Sequence, residues 1–227
     1  MKLIVCGDSF MSADTGKPGS HFSEMLTNHG YTVTNLARGG ISNTGIGFQI
    51  QTAIQLRPHA VIFSSAGPDR IDIVVKNRKF DPAAGLKNFI YPYRSDQSTG
   101  SEHVGDLTAS ILSDVIPAFL HPRLDTPKEL VDPDRSESVK QYLAWGHDND
   151  FKTIVDDWII GYWRYQLIEH AIPFIHVSRQ SDLGQSMYRY VDDHPEKINQ
   201  AVYHTDVDTQ LLLTTEFANQ LQSIIKS

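Results

Sequence analysis

The first apolar run of the chain ends in a hydroxyl. Leu3-Ile-Val-Cys6 is a continuous apolar run that stops at Gly7-Asp8-Ser9. A buried strand ending there carries the Ser9 hydroxyl to the carboxyl edge of a sheet, the edge at which open α/β folds bind ligands. Ser9 is therefore a candidate nucleophile. The competing reading is that Asp8 and Ser9 only cap the turn that follows. A serine attacks when a base removes its proton, and the tetrahedral oxyanion it forms needs converging hydrogen-bond donors. The Ser9 N–H and the Gly40 N–H would supply two of them, because a bare backbone can approach a substrate closely. Gly39-Gly40 also reads as a plain strand-to-helix turn. Asp69, in the loop Gly67-Pro68-Asp69-Arg70, reads either as part of the site or as half of a structural ion pair with Arg70.

These residues need a scaffold, and the apolar pattern predicts one. Residues 2–6, 31–36, 60–64 and 173–178 read as strands, the first and third being unbroken apolar runs that imply burial on both faces. Helices are expected over 21–29, capped by Ser20 and stopped by Gly30, and over 44–56, ended by Arg57-Pro58. Another spans 151–170, where Ile154, Trp158, Tyr162, Tyr165 and Ile168 recur at helical spacing and read as core. A last helix over 208–225 would turn Leu211, Leu212, Phe217, Leu221 and Ile225 inward. Strands alternating with helices imply parallel pairing and right-handed crossovers. The expected fold is α/β, three layers as α/β/α, with a mostly parallel sheet of four or five strands. Residues 1–227 read as one domain with a long insertion at about 71–150. In it no strand series restarts, and helices are expected over 104–120 and 136–145.

Composition narrows the function classes. A net charge of −7 in 227 residues argues against a nucleic-acid surface or an anionic membrane partner. The single cysteine, Cys6, excludes a disulfide framework, points to a reducing compartment, and reads as a buried core thiol. No signal-peptide pattern and no bilayer-length apolar run is present, so a cytoplasmic or virion-associated location is expected. No Gly-x-Gly-x-x-Gly follows the first strand, and His170 and His176 fall on different elements. Neither a cofactor nor a metal site is indicated.

The order of the edge segments resembles the SGNH hydrolases, the GDSL-type esterases. Gly7-Asp8-Ser9 matches the first block of that family. Gly40, five residues after Asn35, matches the second, Asp69 falls where the third has Asn, and His204 lies shortly before the terminal helix. The likeness covers the two ends of the chain and not the insertion. It implies Ser9 as nucleophile and His204 as base. The hole would be formed by the Ser9 and Gly40 amides, with Asp69 as a third member able to donate only when protonated. Ala201 stands where the family has the orienting Asp, so Asp206 or a backbone carbonyl would orient His204. His194, followed by Pro195 and preceded by Asp192 and Asp193, is the alternative base. The implied activity is cleavage of an ester, with an O-acyl carbohydrate as the substrate class. The alternative is an SGNH-fold protein without catalysis that binds or builds, such as a bacteriophage virion component, with residues 71–150 as lid or as protein-partner surface.

Overall fold

The computed structural model describes residues 1–13, 18–38, 41–68, 70–74, 89–90, 108–112, 141, 146–178 and 207–226. In chain order the elements are β1 (Lys2–Cys6), α1 (Phe22–Met25) running into a 3₁₀ turn (Leu26–His29), β2 (Thr32–Asn35), α2 (Asn43–Leu56), β3 (Ala60–Ser64), β4 (Arg70–Val74), β5 (Phe89–Ile90), β6 (Thr108–Leu112), α3 (Asn149–Glu169), β7 (Phe174–Val177) and α4 (Val207–Lys226).

The protein is α/β. Four strands form a parallel sheet in the order β2-β1-β3-β7, with Val5 in register with Asn35 on one side and Ile62 on the other. Strand residues alternate between faces, and both faces are covered. Leu3, Val5, Ile62, Ile175 and Val177 pack with Phe22, Leu26, Leu213, Phe217 and Leu221 beneath α1 and α4. Ile4, Cys6, Val61 and Phe63 pack with Ile46, Ile50, Ile160 and Leu167 beneath α2 and α3. Each large apolar side chain fully buried in this way contributes about 1.5–3 kcal/mol. This double coverage explains why β1 and β3 are apolar at consecutive positions. Cys6 is wholly buried, and burial pushes its thiol far above its ordinary pKa, as suits a core residue.

Local chemistry sets the helix ends. His21, not Ser20, caps α1, with Glu24 closing a capping box, and Gly30 stops the turn in a left-handed conformation. Ser42 caps α2 through Gly45 N–H, and Arg57 ends it, left-handed, before Pro58. Helices α2 and α3 meet closely because Gly47 has no side chain: a Cβ there would fall 2.0 Å from Trp163 Nε1.

Other expectations are corrected as well. Within the expected helix over 104–120, the described residues Thr108–Leu112 form a strand instead, antiparallel to Arg70–Val74 and parallel to Phe89–Ile90 in a second, three-stranded sheet. Strands therefore do restart between β3 and α3. The β-branched residues of Arg70–Val74 supply a non-local pairing that local pattern does not disclose. Helix α3 forms, but Ile154, Trp158, Tyr162, Tyr165 and Ile168 are exposed, and Asp156, Ile160 and Leu167 face the sheet. In α4, Leu211 and Leu212 are exposed, whereas Gln210, Leu213, Phe217 and Leu221 are buried. The helix expected over 136–145 lies outside the described residues except for Gln141, which is helical. Among the described residues no helix is long and apolar enough to cross a membrane.

Candidate active site

From β1 the chain crosses to β2 on one flank and then to β3 on the other. The carboxyl ends of β1 and β3 therefore bound the topological switch point, where open α/β sheets present their ligand crevice. Gly7-Asp8-Ser9 leaves β1 there, and Ser65-Ala66-Gly67-Pro68 leaves β3 beside it.

The turn that carries Ser9 is fastened from several elements. Gly7 has φ +142°, a conformation that favours glycine, and a Cβ there would lie 2.3 Å from Ser64 Oγ and 2.5 Å from Met11 Cγ. Gln49 of α2 brackets the Gly7 peptide, accepting from its N–H at 2.6 Å and donating to its carbonyl at 3.2 Å. Arg38 N–H, just beyond β2, donates to the same carbonyl at 3.0 Å. Ser64 Oγ meets both Asp8 N–H and Asp8 Oδ1 at 3.4 Å. Asp8 Oδ1 also accepts from Phe10 N–H at 3.1 Å, so Asp8 does cap the turn. Ser9 is left at 9 % exposure in this turn.

A second layer holds the turn against α1. Asn35 donates to Met11 O at 2.8 Å and Ser23 Oγ at 3.0 Å and accepts from Ala37 N–H. His21 is fully buried. Its Nε2 lies 3.2 Å from Phe10 O and must carry the proton, while Nδ1 accepts from Ser23 N–H. The His21 ring is thus committed to holding the chain after Ser9.

A cavity of about 130 Å³ opens between the loop after β3, the end of β7 and the first turns of α3. Ser65, His176, Ser178, Asn43 and Asp156 line it. Asn43 pairs with both ends of the Ala66 backbone, at 2.9 and 2.8 Å, and so pins the loop after β3. His176 stacks on Phe63 at 4.5 Å, and its Nε2 is 3.4 Å from Ser65 Oγ. Burial, and then the nearby Arg164 charge, lower the His176 pKa to about 4. The ring is neutral at neutral pH and keeps a lone pair. Asp156 pairs with Lys152 through Oδ1, and its buried Oδ2 has no hydrogen-bond partner. Burial raises the Asp156 pKa against the opposing pull of Lys152 and Asn43.

Among the predicted site residues, Ser9 is described and lies in the turn after β1. Gly40, Asp69, Asp193, His194, His204 and Asp206 lie outside the described residues. The structure adds Gln49, Ser64 and Asn35 as positioning residues, and Ser65, Asp156 and His176 as the lining of the cavity. Asp156 had a readable signal: a carboxylate at helical spacing with Ile160, Trp163 and Leu167 on one face. Among the described residues no group of three or more His, Cys, Asp or Glu is placed to hold a metal. Compared with known proteins, the sequence matches no family model and no curated protein.

Proposed function

We propose that the protein is a serine hydrolase of the SGNH type that cleaves an ester, with O-acylated carbohydrates as its substrate class. One observation carries this reading: Ser9 follows β1 at the switch point of a parallel sheet, in a turn held by Gln49 and Ser64. His204, oriented by Asp206, takes the Ser9 proton as Oγ attacks the acyl carbon. The Ser9 and Gly40 amides, with a protonated Asp69, receive the oxyanion. The alcohol leaves with the proton from His204, and water, activated by the same base, releases the acyl group. His194 with Asp193 is the alternative base pair. The insertion over 71–150 selects the substrate.

The test is hydrolysis of small activated esters by the full chain and by Ser9→Ala. Loss of about three decades in rate or more is expected for a nucleophile acting with its base. Equal rates in the two proteins, including equal inertness across a broad ester panel, would favour the non-catalytic reading. Its support is the exposed apolar face of α3, which suits a protein that assembles.

A further inference from the structure

We propose that a second copy of this chain docks on the outer face of α3, antiparallel, about a two-fold axis next to Gly161. The proposal does not depend on the hydrolytic reading. Helix α3 has two apolar faces. One, with Ile160 and Leu167, is buried against the sheet. Opposite it, Phe151, Ile154, Trp158, Tyr165 and Ile168 are 63, 49, 70, 54 and 62 % exposed. Single exposed apolar residues are ordinary, but a contiguous row of five marks a contact surface. A lone surface helix would be polar here.

The spacing gives the row its form. Phe151, Ile154, Trp158, Gly161, Tyr165 and Ile168 follow one another in alternate steps of three and four, the a/d pattern of a helix-to-helix seam. The row runs nearly the length of a 21-residue helix, about 31 Å at 1.5 Å per residue.

Size and charge both choose the partner. In parallel pairing Trp158 would meet Trp158 of the second copy, and Gly161 would meet Gly161 and leave a hole. In antiparallel pairing Trp158 lies opposite Gly161 of the second copy, Phe151 opposite Ile168, and Ile154 opposite Tyr165. Large residues then face small or aliphatic ones at every layer. One flanking pair agrees: on the side of the helix that borders the His176 cavity, exposed Asp157 comes opposite exposed Arg164 of the second copy, and the two-fold axis repeats that pair. Gly161 itself is not required within the protomer: a Cβ there would meet nothing within 4 Å. Glycine is a poor helix former, and the Trp158 side chain of a second copy accounts for its place at mid-helix.

Sedimentation velocity of the full chain over a concentration series tests this. The wild type is expected to pass from monomer to dimer. Trp158→Ala should weaken the dimer by a factor of about ten or more, as for a central aromatic anchor. Gly161→Leu should weaken it by a similar factor while raising the Tm of the monomer, because leucine favours the helix and finds open space. That pairing of effects separates a blocked interface from a misfolded protein. Asp157→Arg and Arg164→Asp should each weaken the dimer, and together should restore it to within about twofold, since each charge meets its complement. A wild type that stays monomeric at every concentration overturns the proposal, whatever else covers the row. So does a dimer indifferent to both Trp158→Ala and Gly161→Leu, or a charge exchange that fails to restore association.

Discussion

Gln49 holds the Gly7 peptide at both ends, its Oε1 2.6 Å from Gly7 N and its Nε2 3.2 Å from Gly7 O. A fully buried amide on α2 thus fixes the peptide one residue before the Asp8-Ser9 pair. Because both contacts are made by one rigid side-chain amide, the turn cannot shift along the strand without breaking two buried hydrogen bonds.

Gln49→Leu should therefore cost more than its apolar character would return. It leaves the Gly7 N–H buried without its acceptor, a loss of about 1–3 kcal/mol. Urea denaturation would measure it. Activity at Ser9 should fall in protein that is still folded, since the turn loses its register; unchanged stability and unchanged activity would show that the clamp is dispensable.

Gly7→Ala attacks the same turn from the other side. At φ +142° an alanine is strained, at about 1–3 kcal/mol, and its Cβ would fall 2.3 Å from Ser64 Oγ. Overpacking of this kind adds about 1–3 kcal/mol. Combining it with Ser64→Ala should recover only part of the loss, because the backbone strain and the close approach to Met11 Cγ stay. Full recovery in a denaturation series would mean that sterics alone govern the position.

Asp156 makes folding stability depend on pH in a definite direction. Its folded pKa is raised above the ordinary 3.8, chiefly by burial. The folded state then holds the proton more tightly than the unfolded chain, so stability falls as pH rises from about 3.8 through the folded value. Asp156→Asn removes that loss. It should stabilise the protein at neutral pH, because the amide carries no charge to bury. The gain should shrink on acidification, and thermal melts across pH would show the slope.

His176 acts in the opposite sense. Its folded pKa of about 4 lies below the ordinary 6.5. Its contribution is complete above 6.5 and is lost as pH falls from 6.5 towards 4, where the unfolded chain protonates first. NMR titration should place the ring's midpoint near 4, and His176→Gln should flatten the acid side of the stability profile. A midpoint near 6.5 would mean that the ring is neither buried nor close to Arg164.

The four parallel strands were readable because each is a short run of β-formers flanked by turn residues, and β1 and β3 carry the continuous apolar signature of central strands. The orientation of α3 was not readable. A helix with Ile160, Trp163 and Leu167 on one side and Ile154, Trp158 and Tyr165 on the other has two faces of similar apolarity. Periodicity predicts such a helix without saying which side meets the sheet. The place of Ser9 was legible from the abrupt end of β1. The cavity was not, since Ser65 and His176 are 111 residues apart and meet only through the β3–β7 pairing. Gln49 was hidden for a related reason: on sequence it is a polar residue in an amphipathic helix, and the backbone it holds, at Gly7, is 42 residues away.

Covalent trapping tests the central claim most directly. A fluorophosphonate reacts with an activated serine by forming an Oγ–P bond as fluoride leaves, and mass spectrometry of the digested full chain locates the adduct. The account predicts one adduct per chain, on the peptide containing Ser9, absent in Ser9→Ala and slowed by about a thousandfold in His204→Ala. No adduct at Ser9 under conditions that label other serine hydrolases, or an adduct on Ser65 beside His176, would contradict it.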